Sequence, residues 1–344
     1  MPLSQQGLGG GAASLFRGGV SPVESIDIQL NALSTGRSFG TYSLVNTFSQ
    51  TITTNWGYNG YFAFVVPNDD VYRITTRGAN GTYLNINSAT PENYGAEIVA
   101  DVAVTQGWII LFIVGQTGGP AGDNQGGGGG GMSAVAYTTN TSNSTTSVNQ
   151  SNPLVVGGGG GGSCANNTGQ ENARGYGNVE STYSQMLIGK AGKTSNYSTL
   201  GHGWTVGGGG EADNTYQQNS SGGVHYVACW NGGGFNSSGT GNAARSGGSH
   251  GSGFRQGAVG GLNQGGSSGG GGFGGGGGGA NNCGYGGGAG GYSGGGAGGF
   301  NGGCGGHGGG GGSYYDNSGS NSLVSRQNYN TRYGYVRIRS SDQY

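Results

Sequence analysis

Residues 107–137 read GWIILFIVGQTGGPAGDNQGGGGGGMSAVAY, placing an apolar run, a glycine run and a second apolar run in direct succession. The first run, residues 107–116, is apolar at consecutive positions, the mark of a strand buried on both faces and central in its sheet. GMSAVAY after Gly130 reads as a further strand. Between them lies Gly126 to Gly131, where no side chain can be buried and folding costs the most backbone freedom. A chain that alternates such segments needs a structure in which glycine backbone is itself the packing unit.

Upstream, short runs rich in Thr, Tyr, Phe, Val and Ile follow one another: TFSQTITTN, GYFAFVVP, VYRITTRG and YGAEIVADVAVTQ. Each is bounded by turn residues and reads as a strand. Asp69 and Asp70 sit in a PNDD stretch, where turn chemistry is the simplest reading. Gln106-Gly107 is read as the turn of a hairpin joining YGAEIVADVAVTQ to the apolar run. Near the far end RYGYVRIR, residues 332–339, alternates as a final strand would. STYSQMLIG, residues 181–189, is the nearest approach to an amphipathic helix and is short. The pattern predicts an all-β fold, an antiparallel β-sandwich or jelly roll with a glycine-rich bundle inserted into it. It divides the chain into an N-terminal arm over 1–45, a sandwich over 46–137 closed by strand 332–339, and a glycine-rich bundle with loops over 138–331.

Composition narrows the alternatives. There are 89 glycines in 344 residues, against a usual share of roughly 7%. Collagen needs a strict Gly-X-Y period with abundant proline, and the chain has 6 prolines and no such period across its length. Disorder would avoid aromatics, yet there are 20 Tyr, 10 Phe and 4 Trp. A formal net charge of −1 with 8% charged residues provides no basic field, so nucleic acid is not an expected partner. No stretch approaches the roughly 20 apolar residues of a membrane span, so no membrane insertion is expected. MPLSQQGLGGGAASLFRGG lacks a basic start followed by an apolar run, so the expectation is an unprocessed chain made in a cytoplasm. Cys164, Cys229, Cys283 and Cys304 are too few and scattered for a disulfide framework.

The glycine runs recur at similar lengths: Gly126 to Gly131, Gly157 to Gly162, Gly207 to Gly210, Gly269 to Gly272, Gly274 to Gly279 and Gly308 to Gly312. Polyproline-II geometry has three residues per turn and no internal hydrogen bonds. Several such helices side by side satisfy one another's backbone groups, with glycine wherever a neighbour comes close. Residues 302–313 divide as GGC, GGH, GGG, GGS, so that Cys304, His307 and Ser313 share one edge. The scaffold glycines are represented by Gly126, Gly157, Gly207, Gly274 and Gly308.

Chemistry is sparse. Gly-x-Gly-x-x-Gly matches abound, but none follows a strand and opens a helix, and none precedes Lys-Ser or Lys-Thr. Cys304 and His307 have a spacing seen in metal sites, but zinc wants four ligands. His202, His225, His250 and His307 form no triad-like constellation that the sequence supports. No enzyme activity, cofactor or metal is expected. Tyr176, Tyr183, Tyr197, Trp204, Tyr216, Tyr226 and Trp230 lie in the longest non-glycine inserts, where amphipathic rings serve recognition or cover the flank of the bundle.

Tyr72-Arg73-Ile74 to Gly78-Ala79, Gly95-Ala96-Glu97-Ile98-Val99-Ala100, Val114-Gly115-Gln116 to Gly126, Leu154-Val155-Val156-Gly157 and Gly334-Tyr335-Val336-Arg337-Ile338 occur in that order. This order resembles the glycine-rich domain of anaplastic-lymphoma-kinase-type receptors, over roughly Gly60 to Ile338. The resemblance implies a tumour-necrosis-factor-like sandwich bearing polyglycine-II helices, without the receptor's kinase or membrane span. Bundles of this kind are also found in adhesins at the tips of T-even-like phage long tail fibres, where end loops contact the host. Leu8-Gly9-Gly10-Gly11-Ala12-Ala13-Ser14-Leu15 is similar to the starts of glycine-rich virion proteins of marine tailed phages. These resemblances imply a virion structural protein on the outside of a tailed phage. Its expected partners are other virion proteins through the N-terminal arm, a host surface glycan or protein, and further copies in a homo-oligomeric or multi-protein assembly. The alternatives are a secreted ligand-binding module and a lattice or cement protein that binds no host.

Overall fold

The computed structural model describes residues 27–47, 51–82, 93–119, 121–122, 125–163, 230–240, 248–265, 268–280, 285–298, 307–329 and 332–340. Twelve strands run in chain order: β1 Asp27–Ala32, β2 Tyr42–Asn46, β3 Thr53–Thr54, β4 Phe62–Val65, β5 Asp70–Arg77, β6 Gly95–Val104, β7 Ile109–Ile113, β8 Ser133–Thr138, β9 Asn152–Gly157, β10 Tyr314–Tyr315, β11 Ser322–Tyr329 and β12 Tyr335–Ser340. They form two six-stranded antiparallel sheets, ordered β11-β6-β5-β12-β1-β2 and β10-β9-β8-β7-β4-β3. Among the described residues, helix is confined to α1, Thr145–Asn149, and a 3₁₀ turn at Phe254–Gln256.

The two sheets differ because their side-chain patterns differ. In the first, β1 and β12 alternate half-buried and buried residues. Ile28, Leu30, Ile74, Ile98, Val336 and Ile338 face inward, where they meet Phe62, Phe64, Ile110 and Phe112 of the second sheet in one core. Their polar alternates form the outer face. The second sheet is buried on both sides, and all five residues of β7 are buried. Tyr61, Ala63, Ile109, Leu111, Ile113, Ala134 and Ala136 on its other face pack against Phe235, Phe254, Ala258 and Phe273 from the glycine-rich segments. The continuous apolar reading of residues 107–116 follows from this double cover, and β7 is central, between β4 and β8.

Three expectations change. The N-terminal arm does not extend to residue 45: Asp27–Ala32 and Tyr42–Asn46 are paired strands, and β1 lies between β2 and β12. Gln106-Gly107 closes no hairpin, since β6 belongs to the first sheet and β7 to the second. Gly107, at φ +85°, instead turns the chain across the sandwich, and its N–H donates to the Val66 carbonyl. The physical reason is burial: β6 carries Glu97 and Asp101 on a polar outer face, which could not adjoin a strand covered on both sides. Finally, the glycine-rich part is not a single insertion after residue 137. Strands β9, β10 and β11 fall within it, and the runs continue the strands directly, from Gly78 after β5, Gly157 after β9 and into Ser133 of β8.

Candidate functional site

The glycine runs pair with each other rather than with themselves. In Gly126 to Gly131, the N–H groups of Gly126 and Gly129 donate to Ala280 and Gly277, those of Gly127 and Gly130 to Ser163 and Gly160, and that of Gly131 to Gln116. The carbonyls of Gly126 and Gly129 accept from Gly269 and Gly272, those of Gly127 and Gly130 from Gly287 and Gly290, and those of Gly128 and Gly131 from Thr82 and Ala79. Residues three apart therefore face the same neighbour, and this run is enclosed by six other segments. The same interval recurs in Gly159 and Gly162, which donate to Gly290 and Gly287, and in Gly308 and Gly311, which donate to Gly162 and Gly159.

Such packing leaves no room for side chains. A Cβ placed on Gly126, Gly128, Gly129, Gly131 or Gly161 would come within 3.0 Å of a neighbouring carbonyl oxygen. Of the scaffold glycines singled out from sequence, Gly126, Gly157 and Gly308 are buried within these contacts. Gly274 is instead a turn residue, with φ +98°, against the Met132 backbone. Gly207 lies outside the described residues.

The layer has a near end and a far end. Near the sandwich, Gly131 leads into β8 and Gly157 leaves β9. At the remote end, Thr82 N–H donates to Gly128 and Ser163 N–H donates to Thr82. Asn93 Nδ2 donates to Ser163 Oγ at 2.7 Å. Gly126 binds Ala280, Ala280 binds Tyr285, Gly298 binds Gly286, Gly308 binds Gly162, and Gly269 binds Gly126. One end of the layer thus gathers Thr82, Asn93, Ser163, Ala280, Tyr285, Gly298 and Gly308, residues drawn from distant parts of the sequence.

Tyr176, Tyr183, Tyr197, Trp204, Tyr216 and Tyr226 lie outside the described residues. Trp230 does not serve as an exposed recognition ring: it is 2% exposed, its N–H donates to Gly278, and its indole occupies the space beside Gly248 where a side chain would stand. Asn231 beside it ties four segments together. Its N–H donates to His250 Nδ1 at 3.0 Å, its Nδ2 to Thr240 O at 2.6 Å, its Oδ1 accepts from the Ala297 N–H at 2.7 Å, and its carbonyl accepts from Gly251. Sequence reasoning passed over Asn231, because an asparagine before a glycine reads locally as a turn residue.

His307 enters the far end of the layer next to Gly308, and burial lowers its pKa from the ordinary 6.5 to about 4. Cys304 lies outside the described residues, and among the described residues no group of three or more His, Cys, Asp and Glu side chains could hold a metal ion. Between about pH 4 and 6.5 the unfolded chain binds a proton at His307 that the folded chain does not, so stability rises with pH across that window. Melting midpoints should fall on acidification from pH 7 to 4, and His307→Gln should reduce that fall. A pH dependence identical in the variant would show that another group controls acid stability.

No protein-family model and no curated protein sequence matches the chain.

Proposed function

We propose that the chain is a non-enzymatic structural protein of a tailed-phage exterior, in which a sandwich carries a bundle of polyglycine-II helices that display segments toward the host. Polyglycine-II geometry accounts for the interval of three, because a helix with three residues per turn and no internal hydrogen bonds turns every third residue to the same side. The return of β12 beside β1, after a long connection, supports the tumour-necrosis-factor-like reading of the sandwich.

The observation that carries the display role is the meeting, at the remote end of the layer, of described residues far apart in the sequence, among them Thr82, Ser163, Ala280 and Gly308. Loops held by rigid elements suit a recognition surface. Residues 164–229 carry six of the candidate rings. Phage origin rests on the resemblance to tail-fibre adhesins and on the glycine-rich opening of the chain.

The test is replacement of residues 164–229 by a short Gly-Ser linker in particles that carry the chain. Assembly should be retained and adsorption to host cells should fall at least about tenfold. Normal adsorption with the shortened chain incorporated would favour a cement protein without host contact.

A further inference from the structure

The outer face of the first sheet concentrates charge in a chain that has little. Its central strands, β12 and β5, present Tyr335, Arg337 and Arg339 beside Arg73, Thr75 and Arg77. Arg339 lies directly opposite Arg73, and Tyr335 opposite Arg77. Among the described residues, the carboxylates of this face stand on the flanking strands: Asp27 of β1 opposite Arg339, and Asp101 and Glu97 of β6 opposite Arg73 and Arg77. Like charges directly opposite each other on adjacent strands are unfavourable, so a sheet selected for solubility alone would alternate the signs. Here four arginines line one groove of about 200 Å³ together with Thr75, Val99, Glu97 and Tyr335.

The flanking acids serve three of the four guanidinium groups. Arg73 donates to both oxygens of Asp101 at 2.7 and 2.8 Å, and Arg337 to both oxygens of Asp27 at 2.9 and 2.6 Å. Arg77 donates to Glu97, which also accepts from Gln327 at 2.8 Å, and its guanidinium lies over the Tyr335 ring. Arg339 must share Asp27: its Nε stands 3.6 Å from Oδ1 and is buried without a hydrogen-bond partner. Among the described residues, four fixed cations thus face three carboxylates, and the atom left unsatisfied is Nε of Arg339, beside Arg73 and two residues from Arg337.

We propose that this groove is an oxyanion-binding site, in which a carboxylate or sulfate group from outside the chain is held at the cluster of Arg339, Arg337 and Arg73. Two-point pairing with Asp101 and Asp27 holds the guanidinium planes in place before binding, which lowers the ordering cost of capturing the anion. A planar carboxylate and a tetrahedral sulfate both match the guanidinium fork. The site is independent of the glycine layer and of its proposed display role.

The full chain is titrated with inorganic sulfate, with glucuronate and with neutral glucose at low chloride, while the Arg339 Nε resonance is followed by NMR. At least one of the two anions should saturate and shift that resonance, glucose should not, and added chloride should weaken the binding. Arg339→Gln should weaken it about tenfold. Arg332→Gln, which removes an exposed arginine outside the groove, should leave it unchanged. If Arg339→Gln fails to fold, Arg339→Lys keeps the charge but loses the planar fork, and a several-fold loss is expected. The proposal is overturned if neither anion binds, if glucose binds equally, or if Arg332→Gln weakens binding as much as Arg339→Gln.

Discussion

Gly129→Ala is expected to cost about 3 kcal/mol or more, a large effect for one methyl group. The N–H of Gly129 donates to Gly277 at 3.0 Å and its carbonyl accepts from Gly272 at 2.9 Å. A Cβ at this position would come within 3.0 Å of the Gly288 carbonyl oxygen and carbon, atoms that belong to backbone and cannot rotate away. Relief requires separating two runs, and each run is bonded to others, so the displacement breaks several hydrogen bonds together. Gly270→Ala is the matched control. Its Cβ would first meet Cγ of Arg37 at 3.2 Å, part of a flexible stem that can move, and the cost should stay below about 1 kcal/mol. Urea denaturation of both variants measures the difference. Equal small losses would mean that the runs are loosely packed.

The second large effect is expected at the seam between the layer and the sandwich. Phe254 is fully buried against the outer face of the second sheet, stacked on Phe235 with ring centroids 4.6 Å apart, and its ring lies 5.1 Å from that of Tyr61. The Tyr61 hydroxyl donates to the Phe254 carbonyl, and Arg255 Nε donates to the Ser151 carbonyl at 3.1 Å. Phe254→Ala should cost about 3–5 kcal/mol. The loss should be local first, because the sandwich core lies on the opposite face of that sheet. Limited proteolysis should therefore cut between residues 230 and 262 before the sandwich strands. Simultaneous loss of both parts would show that the sandwich depends on its glycine cover.

Legibility from sequence followed the range of each physical cause. The need for glycine is local to each position, so the runs and their interval of three were readable. Which run adjoins which was not, because the runs are nearly identical and their partners are chosen by the strands that feed them. The alternation in RYGYVRIR identified β12, but DIQLNA of β1 was read as part of the N-terminal arm. Its pairing partner is β12, and the bond from Arg337 to Asp27 spans 310 residues. The Gln106-Gly107 turn looked like a hairpin because turn chemistry is the same whether the chain returns to its own sheet or crosses to the other. Whether Trp230 serves recognition or covers the flank of the bundle stayed open, because local sequence gives no sign that Gly248 leaves a space for it. The oxyanion groove was invisible in the sequence, since Arg73, Arg77, Arg337 and Arg339 meet only through strand register.

The scaffold itself is tested most directly by amide hydrogen exchange, resolved by residue, in the runs Gly126 to Gly131 and Gly157 to Gly162. Successive N–H groups donate to neighbouring runs at Gly126, Gly127, Gly129, Gly130 and Gly131. The predicted result is protection on the order of a thousandfold at all five, comparable with strand β7. Exchange at the rate of an unstructured glycine peptide, or protection only at every second residue as along the edge of a sheet, would contradict a bundle of mutually bonded threefold helices.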